Sequence, residues 1–77
     1  MDYVLEIETK NRLLKIRGAR KTRIKSTFLQ WALQVMDGDG NWHTISKSTA
    51  IGGLQVGEIL IMEAIEKKDK IVKISLP

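Results

Sequence analysis

The chain is 77 residues long, contains no cysteine, is 43% hydrophobic and carries a net charge of +4. A chain of this length makes one small domain that buries only about 60% of its unfolded surface, yet it is too hydrophobic to stay disordered. The missing thiols exclude a disulfide framework and a thiolate metal site.

In chain order, Tyr3-Val4-Leu5-Glu6-Ile7-Glu8 alternates apolar and charged residues, which predicts a half-buried strand. Asn11 marks a turn, and Leu13-Leu14-Lys15-Ile16-Arg17 predicts a second strand with Leu14 and Ile16 inward. Gly18 ends it, and residues 20–25 read as a polar connection. Residues 28–36 predict the strongest strand, with Leu29, Trp31, Leu33 and Val35 on its apolar face and Gln30, Ala32 and Gln34 on the other. Asp37-Gly38-Asp39-Gly40 is a hairpin turn, since Gly and Asp tolerate the positive φ such turns need. Residues 42–47 return as a strand, and residues 48–54 suit one more brief strand.

Residues 57–67 fit two conformations. Their types favour helix, with Leu54, Ile61, Ala64 and Ile65 as one apolar stripe. Gly52, Gly53 and Gly57 stand where that helix would begin, however, and Lys67-Lys68-Asp69-Lys70 suits a turn into a last strand at 71–76. A hairpin of 58–66 with 71–76 is therefore preferred. The expected fold is all-β, a small antiparallel sandwich of six or seven strands. The alternative is α+β, an antiparallel sheet with one helix at about 54–67.

From Leu29 onward the order of features resembles a fibronectin type III or immunoglobulin-like sandwich, and most of all the three-Y domain of bacterial sensor proteins. Trp31, Leu33, Val35, Asp37, Asp39 and Trp42 follow that family's strand, turn and Trp. Leu54, Gly57 and Ile59 match the intervals of its Leu-x-x-Gly-x-Tyr corner, and residues 71–77 match its last strand ending in Pro. The family's tyrosines are replaced here by Trp31, Leu33 and Ile59. The resemblance implies a non-catalytic module placed between a sensing part and a signalling part.

Charge is uneven along the chain. Residues 10–25 hold eight basic groups and no acid, while the rest carries five lysines against nine acids. Arg12, Lys15, Arg17, Arg20, Lys21, Arg23 and Lys25 are the candidate contacts for a polyanion such as nucleic acid, with Trp42 as an aromatic contact. The plainer alternative is a solvated face, or an edge strand guarded by charge. No aromatic interrupts residues 10–25 to offer base stacking, Phe28 being the nearest.

No catalytic or metal constellation stands out. Asp37, Asp39 and Asn41 have the spacing that opens a calcium loop, but Trp42 replaces the required Gly and Ser48 the closing Glu. His43 is the only histidine, and on a regular strand it and Ser46 point to opposite faces. Gly52, Gly53 and Gly57 suit a tight turn, not a phosphate loop. Glu58 and Glu66 would lie about 26 Å apart on a strand, too far for an acid/base pair.

The sequence thus predicts a non-enzymatic binding module without cofactor, acting through an exposed strand edge or basic face. Its partner is a protein or a second copy, with nucleic acid at residues 10–25 as the alternative. The opening residues Met1-Asp2-Tyr3-Val4 lack a secretory pattern, and the longest apolar run, residues 59–62, is far short of the roughly 20 that cross a membrane. A membrane partner is not expected, and a cytoplasmic location is favoured.

Overall fold

A computed structural model describes residues 3–67 and 69–77. In chain order the elements are β1 (Val4–Glu8), β2 (Leu13–Arg17), β3 (Lys21–Ser26), β4 (Trp31–Met36), β5 (Trp42–Ser48), α1 (Ile51–Lys67) and β6 (Ile71–Ser75). They form two three-stranded sheets, β2-β1-β6 and β3-β4-β5. β1 runs antiparallel to β2 and parallel to β6, whereas β3, β4 and β5 form an antiparallel meander.

The fold is therefore α+β, which corrects the expected all-β sandwich and matches the alternative. The correction falls at residues 51–67. A period of 3.6 places Leu54, Gly57, Ile61 and Ala64 on one buried face, with Ile65 packed beside them. A period of 2 would leave Ile59 and Ile61 on one face and Leu60 and Met62 on the other, with no single side to bury. The glycines that suggested a turn lie inside the helix. At Gly57 an added Cβ would stand 3.1 Å from Leu33 Cδ2, so glycine lets α1 settle closely on β4. The last strand pairs with β1, not with residues 58–66, because α1 carries the chain from one sheet to the other. A parallel pair needs such a crossover.

One core joins both sheets and the helix. Leu5 and Ile7 of β1, Ile16 of β2, Leu33 and Val35 of β4, Ile45 of β5, Leu54, Ile61 and Ala64 of α1 and Val72 of β6 are all buried in it. Each large aliphatic side chain buried there is worth about 1.5–3 kcal/mol relative to exposure. Tyr3 is buried too, and its hydroxyl donates to the carbonyl of Ala19. Removal from water raises its pKa above the usual 10.

Three further expectations change. Residues 48–54, expected as a brief strand, run from the last residue of β5 into the first turn of α1. Of residues 20–25, read as a polar connection, all but Arg20 belong to β3, an edge strand of the meander. The strand expected at 28–36 begins only at Trp31. Phe28 and Leu29, the latter expected in the core, form the hairpin tip and are 95% and 75% exposed. Thr27 closes this tip: its N–H donates to the carbonyl of Gln30 at 2.7 Å, and its hydroxyl oxygen accepts the Gln30 N–H at 3.2 Å. Four residues are enough to reverse the chain there, so no length remains for Leu29 to reach the core.

At the other end of the meander the Asp37 turn forms as expected, with Gly40 at φ +88°. Gly18, at φ +65°, approaches Gly38 so closely that an added Cβ would stand 3.2 Å from its Cα. Around this contact the Gly38 N–H donates to the carbonyl of Arg17 at 3.0 Å, joining the end of β2 to the β4–β5 turn.

Candidate nucleic-acid interface

The site is built from the face of β3-β4-β5 that turns away from the core. Cross-strand register sets its composition. Lys21, Met36 and Trp42 form one row, Arg23, Gln34 and Thr44 the next, and Lys25, Ala32 and Lys47 the third. These nine positions hold four cations, one indole and no carboxylate. Ala32 is buried yet lies outside the core, as expected for a small residue between Lys25 and Lys47.

The middle of this face is ordered by side chains. Arg23 Nε–H donates to Gln34 Oε1 at 2.7 Å, and Gln34 Nε2–H donates to Thr44 Oγ1 at 3.0 Å. This chain spans all three strands. It holds the Arg23 guanidinium carbon over the Trp42 ring, 3.9 Å from the centroid, and Lys21 Nζ lies 5.8 Å from the same ring. Trp42 and the basic residues are far apart in sequence and meet only through strand pairing. Along β3, Lys21, Arg23 and Lys25 repeat about every 7 Å, twice the rise per residue. Phe28 lies just beyond Lys25 at the tip.

The opposite face of this sheet belongs to α1. Thr22 Oγ1 donates to Glu58 Oε2 at 3.0 Å, and Leu33 meets Gly57. Helix and basic surface thus lie on opposite sides of the sheet, so α1 leaves the basic surface uncovered.

The basic stretch read as one arm is divided by the fold. Arg12, in the turn between β1 and β2, extends Nη2–H to the carbonyl of Thr44 at 2.6 Å and to that of Ile45 at 3.4 Å. It ties the first hairpin to β5. Lys15 and Arg17 lie on the outer face of the other sheet, where Lys15 stands opposite Glu6 and Arg17 opposite Val4. Arg20 is in the connector, its N–H bonded to the Met36 carbonyl at 2.8 Å. Of the seven basic candidates, only Lys21, Arg23 and Lys25 share a face with Trp42. Lys47, Gln34 and Thr44 were not anticipated, because their places depend on which strand pairs with which.

The expected geometry around His43 also changes. β5 carries a bulge: Gln34 pairs with Thr44 but Leu33 with Ser46, leaving Ile45 as the extra residue. The bulge puts His43 and Ser46 on the same face, reversing the parity assigned to them. They still form no hydrogen-bonded pair. His43 Nε2–H instead donates to Asp37 Oδ2 at 2.7 Å, while the N–H groups of Asp39 and Asn41 donate to Asp37 Oδ1 at 2.9 and 3.0 Å. The His43 hydrogen bond, chiefly, and these backbone donors hold the Asp37 pKa at about 2. Asp37 is thereby a turn-forming acceptor. An open cleft of about 780 Å³ lies beside this turn and mixes Arg17 and Arg20 with Asp37 and Asp39. That mixture suits a polyanion less well than the acid-free face.

Glu58 and Glu66, placed about 26 Å apart as strand residues, are separated by about 12 Å of helix rise. This is still beyond the roughly 5–9.5 Å of working carboxylate pairs. Among the described residues no group of three metal-ligating side chains converges, and no helix is long and apolar enough to cross a membrane.

Comparison with known proteins finds no matching family model, no matching curated protein and no matching solved structure. Leu54, Gly57 and Ile59, which carry part of the three-Y resemblance, lie within α1.

Proposed function

We propose that this protein is a non-enzymatic module that binds single-stranded nucleic acid on the outer face of β3-β4-β5. The observation that carries this is the Arg23–Trp42 stack. It is fixed by Gln34 and Thr44 and flanked by Lys21, Lys25 and Lys47 with no acid among them. Single strands are bound by cations that follow the backbone and by aromatic or guanidinium planes on which bases stack. Both are here on one flat surface. A strand in a stacked duplex winds about its axis and advances only about 3.4 Å along it per phosphate. The cation repeat of about 7 Å on β3 therefore suits a stretched strand, one phosphate per cation. Phe28 offers a second ring at the end of that row.

Fluorescence anisotropy of a labelled oligothymidylate tests the proposal. With four phosphates neutralised, log K should fall with log salt at a slope near −3, from about 0.7 per contact. Affinity then drops roughly fiftyfold between 50 and 200 mM salt. Trp42→Ala should weaken binding by roughly tenfold, the low end of one lost base stack. No binding at 50 mM salt, or binding unaffected by Trp42→Ala, overturns the proposal.

A further inference from the structure

The outer face of α1 has a composition unlike that of a solvated helix. Opposite the buried stripe of Leu54, Gly57, Ile61 and Ala64, the exposed positions include Val56 and Ile59, spaced i, i+3, with Leu60 exposed at the edge beside them. Met62 is exposed at their flank, and Ile59 alone is 58% exposed. A solvent-facing stripe ordinarily carries charge. Here, from Ile51 through Met62, the only charged residue is Glu58, and its carboxylate accepts from Thr22. Charges begin again at Glu63. Four large, partly exposed apolar side chains on one element make a patch of the kind that marks an interaction surface.

The ends of this face are complementary to each other. At the N-terminal end, the residue before the helix is Ala50, which has no side-chain oxygen to cap it, and no acid stands in the first turn. Gly52 is exposed there, and a Cβ placed on it would meet nothing within 4 Å, so the backbone lies open. The free N–H groups at this end favour a carboxylate. At the other end the same stripe continues into Glu63.

From these observations we infer that α1 pairs with α1 of a second copy in antiparallel fashion, about a two-fold axis between Val56 and Ile59. Val56 of each copy packs on Ile59 of the other, and each Glu63 reaches the Gly52 end of the other helix. A parallel pair would set Glu63 against Glu63, so the charges select the antiparallel arrangement. The contact from position 52 to 63 spans about 17 Å of helix. One helix pair of this length lies at the small end of specific interfaces, so the dimer is weak and depends on concentration. Because α1 covers the inner side of β3-β4-β5, the dimer leaves both basic faces open. Nothing in this inference depends on those faces binding nucleic acid.

Sedimentation equilibrium of the full chain over about 5 to 500 µM should show a monomer–dimer equilibrium with Kd in the tens of micromolar. Ile59→Glu should be monomeric throughout with an unchanged far-UV circular dichroism spectrum, since the position is mostly exposed. Glu63→Lys should raise Kd about tenfold. The chain has no cysteine of its own, so single cysteines report contacts cleanly. Ile59→Cys should form a disulfide-linked dimer under mild oxidation, and Phe28→Cys, at the distant hairpin tip, should not. A monomer at 500 µM, a dimer that persists in Ile59→Glu, or equal cross-linking at both cysteines each overturns the inference. The first of these outcomes would leave the helix face for a different protein.

Discussion

Two glycines of α1 give a sharp test of how the helix sits. Gly53 is exposed, and a Cβ added there meets no atom within 4 Å, so Gly53→Ala removes backbone freedom from the unfolded chain without crowding the folded one. The expected gain is about 0.5–1 kcal/mol. For a domain of this size that is a rise in Tm of roughly 3–6 °C. Gly57, nearer the middle of the helix, would gain at least as much from propensity alone. There, however, the new methyl stands 3.1 Å from Leu33 Cδ2, and Leu33 is fully buried between the helix and the rest of the core. Overpacking of this kind costs about 1–3 kcal/mol, more than the propensity gain. Gly57→Ala is therefore expected to lose about 1 kcal/mol net, lowering Tm by roughly 4–8 °C. Calorimetry and urea denaturation of both variants decide the matter. Equal stabilisation by the two substitutions would refute close packing of α1 on β4. Destabilisation by Gly53→Ala would refute a helix at that position.

Three other outcomes follow from the geometry. Arg12→Ala should lower stability by about 0.5–1 kcal/mol, since it frees the Thr44 and Ile45 carbonyls at the bulge, and should leave oligonucleotide affinity nearly unchanged. Arg23→Ala should instead reduce the salt slope by about 0.7, and it should cost stability comparable to Arg12→Ala because its hydrogen bond to Gln34 is lost. Asp37→Asn should be less stable than the natural chain at pH 7. The folded-state pKa of Asp37, about 2, lies below its ordinary 3.8. Its contribution is therefore full above the unfolded value and lost as pH falls through about 2. The gap between the two proteins should close between pH 4 and 2, as read by denaturation at each pH. A gap that persists unchanged at pH 2 would show that the carboxylate charge is not its source.

Local pattern settled much of this protein. Alternation in β1 and β2, the break at Gly18, the positive-φ turn at residues 37–40 and the last strand all depend on nearest neighbours in the chain, and the structure has them where the residues imply them. The absence of cysteine and the clustering of eight cations in residues 10–25 are likewise properties of the sequence alone. Tertiary structure decided what depends on distant partners. Residues 51–67 became a helix because the helical period brings Leu54, Ile61 and Ala64 together against a core drawn from both sheets, which local propensity weighed against three glycines could not show. The eight cations were legible, but their division was not. Strand order placed Lys21, Arg23 and Lys25 beside Trp42, set Lys15 opposite Glu6 and turned Arg12 into a tether. A single extra residue at Ile45 reversed the parity of His43 and Ser46. Charge can be counted along a chain, whereas a face exists only once strands have chosen their neighbours.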